Sequence, residues 1–162
     1  TIKKPKSFTK FYKKREIMIK FFKKIFNSED ENNDDAIETN LNLAIIVILL
    51  RASSIDGNKD ELEIDMIKDI AIQDLDIKEK DFINLYSKAV EEEDFSADIY
   101  KWTKIINDNC DEDSKLKIFR LACKIVNADG NIDPFESNFT RRLSGLFYIT
   151  DKQAGEIKKE FN

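Results

Sequence analysis

The chain of 162 residues contains no histidine, four glycines, two prolines and two cysteines. Without histidine there can be no Ser-His-Asp triad, no histidine-held haem and none of the usual zinc deaminase or metalloprotease sites. So few glycines and prolines argue against a turn-rich sandwich or a glycine-threaded nucleotide fold, and neither a GxxxxGK[ST] loop nor a GxGxxG turn occurs. Cys110 and Cys123 make no CxxC pair and no disulfide framework, which points to a reducing compartment. Long apolar runs are also missing. The longest, Leu43–Leu50, has eight residues, far short of the roughly 20 that cross a bilayer. No apolar leader region precedes a small-residue cleavage pattern.

What is present is a balance of 41% apolar and 36% charged residues, enough for one domain with a real core. Charge is unevenly placed. Residues 1–24 carry ten Lys/Arg against the single Glu16, a local balance of +9, whereas the other 138 residues carry 17 basic and 31 acidic side chains, a balance of −14. A mostly acidic surface repels nucleic acid, so none is expected as a partner, while the basic arm suits anionic lipid or an acidic protein.

Within that arm Phe8, Phe11, Tyr12, Ile19, Phe22 and Phe26 recur at spacings of three, four and seven, with Met18 and Ile25 widening the stripe. Residues 1–26 therefore read as a basic amphipathic helix. Its stripe could enter a membrane interface, with lysines meeting phosphate, or pack on the acidic body. Residues 27–35, NSEDENNDD, read as an acidic linker. Residues 36–161 form the folded domain.

There the 3.6-residue period dominates, and it predicts helices near 36–53, 61–71, 78–92, 97–109, 112–127, 134–147 and 151–161. The first contains LAIIVILL, apolar on all sides, which predicts a central helix wrapped by the rest. Asp133-Pro134-Phe135-Glu136 is a strong helix start, Asp60-Glu61-Leu62-Glu63 is a second, and Thr150 with Gln153 is a weaker third.

The two strong starts belong to a repeat displaced by 73 residues, IDGNKDELE at 55–63 against ADGNIDPFE at 128–136. Asp56, Gly57, Asn58, Asp60 and Glu63 align with Asp129, Gly130, Asn131, Asp133 and Glu136. Upstream, Ile45, Ile48, Leu49 and Leu50 align with Ile118, Leu121, Ala122 and Cys123. Downstream, Leu62, Met66 and Ile70 align with Phe135, Phe139 and Leu143. Each unit is a helix, a DG turn and a second helix with its apolar stripe directed inward, so the fold class expected is an all-α bundle of about seven helices containing a duplicated hairpin.

Laid on the calcium-loop ruler with Gly130 at position six, Asn127, Asp129, Asn131, Asp133 and Glu136 fall at positions three, five, seven, nine and twelve, with Ile132 at eight. Ile125 occupies position one and has no oxygen to give. In the first turn Ala52 stands at position one, and Ser54, Asp56, Asn58, Asp60 and Glu63 follow. The missing first ligands predict weak divalent-metal affinity, on the order of 10⁻⁴–10⁻³ M. The other reading needs no metal: each glycine ends one helix and each Asp/Glu pair caps the next. No cofactor is required by either.

The segment ACKIVNADGNIDPFESNFTRRLSGLF at 122–147 and its weaker partner LLRASSIDGNKDELEIDMIKDIAI at 49–72 resemble the tellurite-resistance TerB family, a domain found also at the amino-terminal cytosolic side of DjlA-type co-chaperones. The similarity spans residues 36–161. It implies an all-helical fold, an acidic surface suggested to bind metal ions, and action through complexes in bacterial envelope or chemical-stress systems. It places the metal reading on Asp129, Asp133 and Glu136, and on Asp56, Asp60 and Glu63. The first turn departs from the second, with Ile55 for Ala128 and Lys59, a cation among the acids, for Ile132. No J-domain signature is present, so co-chaperone activity is not implied.

Enzyme chemistry is not expected. A carboxylate pair needs a pocket and unlike protonation environments to act as acid and base. Cys123 lies in an apolar helix and reads as core, while Cys110, at a polar helix end, reads as exposed. Trp102 with Tyr100 reads as a core edge or, less in keeping with its apolar setting, a partner patch. The expectation is a non-enzymatic interaction module with a protein partner, cytoplasmic, whose arm can touch the inner face of the membrane; the competing reading is a weak divalent-metal sensor or buffer built on the repeated acidic turns.

Overall fold

A helix apolar on every side is stable in water only when other helices enclose it, and the chain is built around one. The computed structural model describes residues 31–55, 61–95 and 98–161, the side chains of 31–35, 61–63 and 94–95 excepted. Among the described residues seven helices follow one another: α1 (Glu31–Ser53), α2 (Glu61–Gln73), α3 (Glu79–Phe95), α4 (Tyr100–Asn109), α5 (Glu112–Val126), α6 (Pro134–Leu146) and α7 (Asp151–Lys158). There is no strand among the described residues. The fold is the expected all-α bundle. Helix α1 is its axis, packed against α2, α3, α4 and α5, and Ala44–Leu50 are each at most 2% exposed. By length and composition the whole window Ala36–Ser53 would pass for a membrane-crossing helix, a longer stretch than the eight-residue run suggested. In the bundle that stretch supplies the core.

The two repeated units are the pairs α1–α2 and α5–α6, joined by α3 and α4. They do not play equal parts. While α1 is enclosed along Ala44–Leu50, α5 packs on α1, α2, α6 and α7 and keeps a polar outer face. Arg120 on that face holds Glu160, beyond α7, with two hydrogen bonds of 2.9 and 3.2 Å.

Helix boundaries follow local chemistry. Helix α1 begins at Glu31, inside the stretch 27–35 read as linker; once a helix is nucleated each further residue adds one bond at little entropy, and acidic residues suit a helix start. The arm, residues 1–26, lies outside the described residues, and so does its amphipathic helix. Helix α4 starts at Tyr100, three residues later than the periodicity predicts, because the Asp98 carboxylate accepts the Tyr100 N–H at 3.1 Å. Helix α6 stops where Tyr148 takes a left-handed conformation, φ 58, and the Ile149 N–H closes back on the Ser144 carbonyl at 2.9 Å. Thr150 and Gln153 form the capping box expected at the start of α7. Gly155 lies inside that helix, and a Cβ built there meets nothing within 4 Å. Gly155→Ala is therefore expected to stabilise the fold by about 0.5–1 kcal/mol, read as a raised urea midpoint at unchanged slope.

Candidate functional site

The second acidic turn is fully described. Helix α5 ends with the Asn127 and Ala128 N–H groups bonded to the Cys123 and Ile125 carbonyls, each at 3.0 Å, and the Gly130 N–H bonded to Asn127 O at 3.1 Å. Gly130 has φ +78, a conformation that costs a side chain about 1–2 kcal/mol. The Asn127 amide folds back to donate to Cys123 O at 2.7 Å. Asp129 accepts the Asn131 N–H at 2.9 Å. Asp133 accepts the Glu136 N–H and Glu136 accepts the Asp133 N–H, both at 2.8 Å, a complete capping box with Pro134 in the first turn. Each of the three acids thus has a carboxylate oxygen on a backbone amide of the turn. Asp133→Ala removes the cap acceptor and is expected to cost about 1 kcal/mol, within the usual 0.5–2, measured by urea denaturation.

The fit to a divalent cation can be tested on this turn. A calcium shell takes six to eight oxygens. Position one is Ile125, 1% exposed and part of the core, so a hydrocarbon wall stands where the first ligand belongs. Among the described residues no three His, Cys, Asp or Glu side chains are grouped to hold a metal ion. The described donors are arranged as a helix cap and do not fit a calcium shell. Of the first turn, Asp56, Asn58 and Asp60 lie outside the described residues, and Glu63 is described only as helical backbone. Its flank is visible: Ala52, at position one, is buried, and Ser54, at position three, donates to Leu50 O at 2.9 Å and to Glu93 Oε1 at 3.2 Å.

That serine leads to a feature sequence reading missed. Arg51 Nε lies 3.4 Å from Glu93 Oε1, and Arg51 Nη2 donates to the Glu93 carbonyl at 3.3 Å, with the carboxylate side chain 9% exposed. The pair ties the end of α1 to the end of α3 beside the first turn. An arginine in the last turn of an apolar helix was its one signal.

The apolar stripe of α6 behaves differently from expectation. Leu143 is fully buried and Phe139 half-buried, but Phe135 is 71% and the neighbouring Ile132 44% exposed. The inward stripe read from the repeat therefore holds for only part of the helix. Eight residues of helix rise about 12 Å, so the first turn of α6 carries Phe135 past the edge of the core.

Cys123 is buried as expected, whereas Cys110 is half-buried against the core and not exposed; its N–H donates to the carbonyl of the core residue Ile106 at 2.8 Å. Burial pushes both thiols up to about 12, with the Asp111 carboxylate adding to the effect at Cys110. Trp102 is buried with Lys101 Nζ stacked 4.3 Å from its ring, but Tyr100, read with it as core edge, is exposed. A cleft of about 340 Å³ opens where α1, α3 and α4 meet. Ile37, Leu43, Trp102 and Ile105 give it apolar walls, and the ion pair of Lys101 with Glu92, at 3.4 Å, borders it. The indole Nε1 of Trp102 is buried without a hydrogen-bond partner.

Seven helices among the described residues, four of them in the repeated pairs α1–α2 and α5–α6, with a capping box at the described turn, define the class of this protein. The chain belongs to the TerB family: the family model described as tellurite resistance protein TerB matches residues 42–159. Among curated proteins and among solved structures no match is found. The family relation is to tellurite resistance, and the family is not generally known as one of enzymes.

Proposed function

We propose that this chain is a non-enzymatic interaction module of a tellurite-resistance-like chemical-stress or envelope system, working in the cytoplasm through a protein partner. The observation that supports it most is the apolar stripe of α6 running out of the core, with Phe135 71% exposed and Ile132 44% exposed beside the second turn. A monomer gains nothing from holding a phenylalanine in water at a rigid helix start, and aromatic side chains on ordered elements are the usual anchors of protein interfaces. The acidic turn beside them adds charge that selects among partners more than it adds affinity.

The test is cross-linking in cells with the full chain and with the double variant Ile132→Ser, Phe135→Ser. Both positions are exposed, so the fold should lose no more than about 0.5 kcal/mol. A defined heteromeric adduct present in the wild type and lost in the variant is expected. An adduct pattern that the variant leaves intact removes this surface as the site, and substrate turnover by the purified chain alone would end the non-enzymatic reading.

A further inference from the structure

We propose that the exposed edge of α6 pairs with the same edge of a second copy of this chain, antiparallel across a two-fold axis, and that this pairing covers the face until a partner displaces it. The proposal rests on the reading of Ile132 and Phe135 as an interaction surface and adds the regulation of that surface. Phe135, Phe139 and Arg142 stand at i, i+4 and i+7 of α6, which places them in one row along the helix. Phe135 is 71% exposed, Phe139 is half-buried and the Arg142 side chain is 52% exposed. One carboxylate oxygen of Asp98 accepts both the Tyr100 N–H at 3.1 Å and Arg142 Nη2 at 2.6 Å. That bridge brings Tyr100, itself exposed, to the Arg142 end of the row. Tyrosine, phenylalanine and arginine are among the residue types enriched in protein interfaces.

Charge selects a second copy as the occupant. Asp129 and Asp133 lie in the turn that opens α6, whereas Arg141 and Arg142 lie toward its end, with Arg142 about 10 Å along the helix from Phe135. Arg141 donates to the neutral Asn138 amide at 3.2 Å, a contact that does not offset its charge. The edge is thus acidic at one end, basic at the other and aromatic between. Laid antiparallel on itself, it sets the acids of each copy against the arginines of the other, twice over. Laid parallel, it sets like charge against like. Such a contact is self-complementary and closes at two copies. Its three aromatics, at about 150–250 Å² each, fall short of the roughly 800 Å² per partner of a standard interface. The pair is therefore weak and exchanging, which leaves the face open to displacement.

Sedimentation equilibrium of the full chain, from micromolar to millimolar concentration, is expected to show monomer and dimer and no higher species. The pair contains each residue twice, so Phe135→Ser should weaken it on the order of 10²-fold. Asp129→Arg and Arg142→Glu, each alone, should weaken it at least about tenfold. An equimolar mixture of those two variants should regain the association, because opposite charges face each other again at both ends of the mixed pair. Recovery on mixing cannot come from a variant that has lost its fold. Asn138→Cys, midway along the row and exposed, should let a short bis-maleimide join two copies through that position, since Cys110 and Cys123 are turned into the core. A chain that stays monomeric at millimolar concentration overturns the pairing and leaves the heteromeric reading to its own cross-linking test. Higher oligomers, or a mixture that associates no better than its two variants, overturn the two-fold arrangement as well.

Discussion

Truncating Ile48 to alanine is expected to lower stability by about 2–5 kcal/mol, whereas the same truncation at Leu121, its counterpart in the repeat, should cost only about 1–2 kcal/mol. The two positions are 73 residues apart and occupy the same place in their units. Ile48 is fully buried in α1, and Leu121 is half-buried on α5. Truncation at Ile48 leaves a cavity lined on every side by other helices; at Leu121 solvent fills part of the space. Folded domains hold only about 5–15 kcal/mol, so Ile48→Ala should shift the urea midpoint severely. Ile83→Ala, at a position 71% exposed, serves as the control and should stay within about 0.5 kcal/mol. Equal losses at Ile48 and Leu121 would show that the duplicated halves share the core evenly and that α1 is not its axis.

The second large effect is chemical. With both thiols pushed up to about 12 by burial, the folded chain holds almost no thiolate at pH 8, and thiolate is the reactive form. Labelling by a disulfide reagent should be on the order of 10³-fold slower in the folded chain than in urea, from ionisation alone. A pH dependence of stability goes with it. The folded value lies above the unfolded value, near 8.5, so the unfolded chain releases the proton first as pH rises. The stabilisation is complete below about pH 8.5 and is lost toward pH 12, with Cys123 contributing a slope of about 1.4 kcal/mol per pH unit. The range from about 8.5 to 10 is the useful one, before tyrosine and lysine titrate. Cys110 adds a slope of the same sign and size, so Cys123→Ser should roughly halve that part of the profile. Rapid labelling of the native chain would instead mean a thiolate exposed in the fold, and would reopen nucleophilic chemistry.

What could be read in the sequence was whatever depends on near neighbours. The capping boxes at Asp133/Glu136 and Thr150/Gln153 join residues three apart, and both were legible as sequence patterns. The central place of α1 followed from its lack of a polar face. Contacts made by folding were not legible. Arg51 and Glu93 are 42 residues apart, and the Trp102 cleft needs three helices before it exists. Phe135 fits the inward stripe by spacing, yet spacing does not say where the core ends. The calcium-loop ruler had the same weakness: it ranks residue types by position, and it cannot tell that Ile125 at position one is needed inside the bundle. Cys110 lies in a polar stretch of sequence, yet in the extended residue that closes α4 its side chain packs against the core, a contact that local polarity does not reveal.

The enclosure of α1 also sets the order in which the chain can become safe from water during synthesis. The segment Ala44–Leu50 leaves the ribosome ahead of part of its cover: the region around Ile118 and Phe119 of α5 is made about 68 residues later, which at 5–20 residues per second is roughly 3–14 s. Throughout that interval the chain presents a helix apolar enough to pass for a membrane-crossing one, with its lysine-rich arm already outside. Nascent-chain handling, by holdase chaperones or by targeting factors that read apolar helices, is thus a demand written into the architecture, and it would persist however stable the finished bundle became.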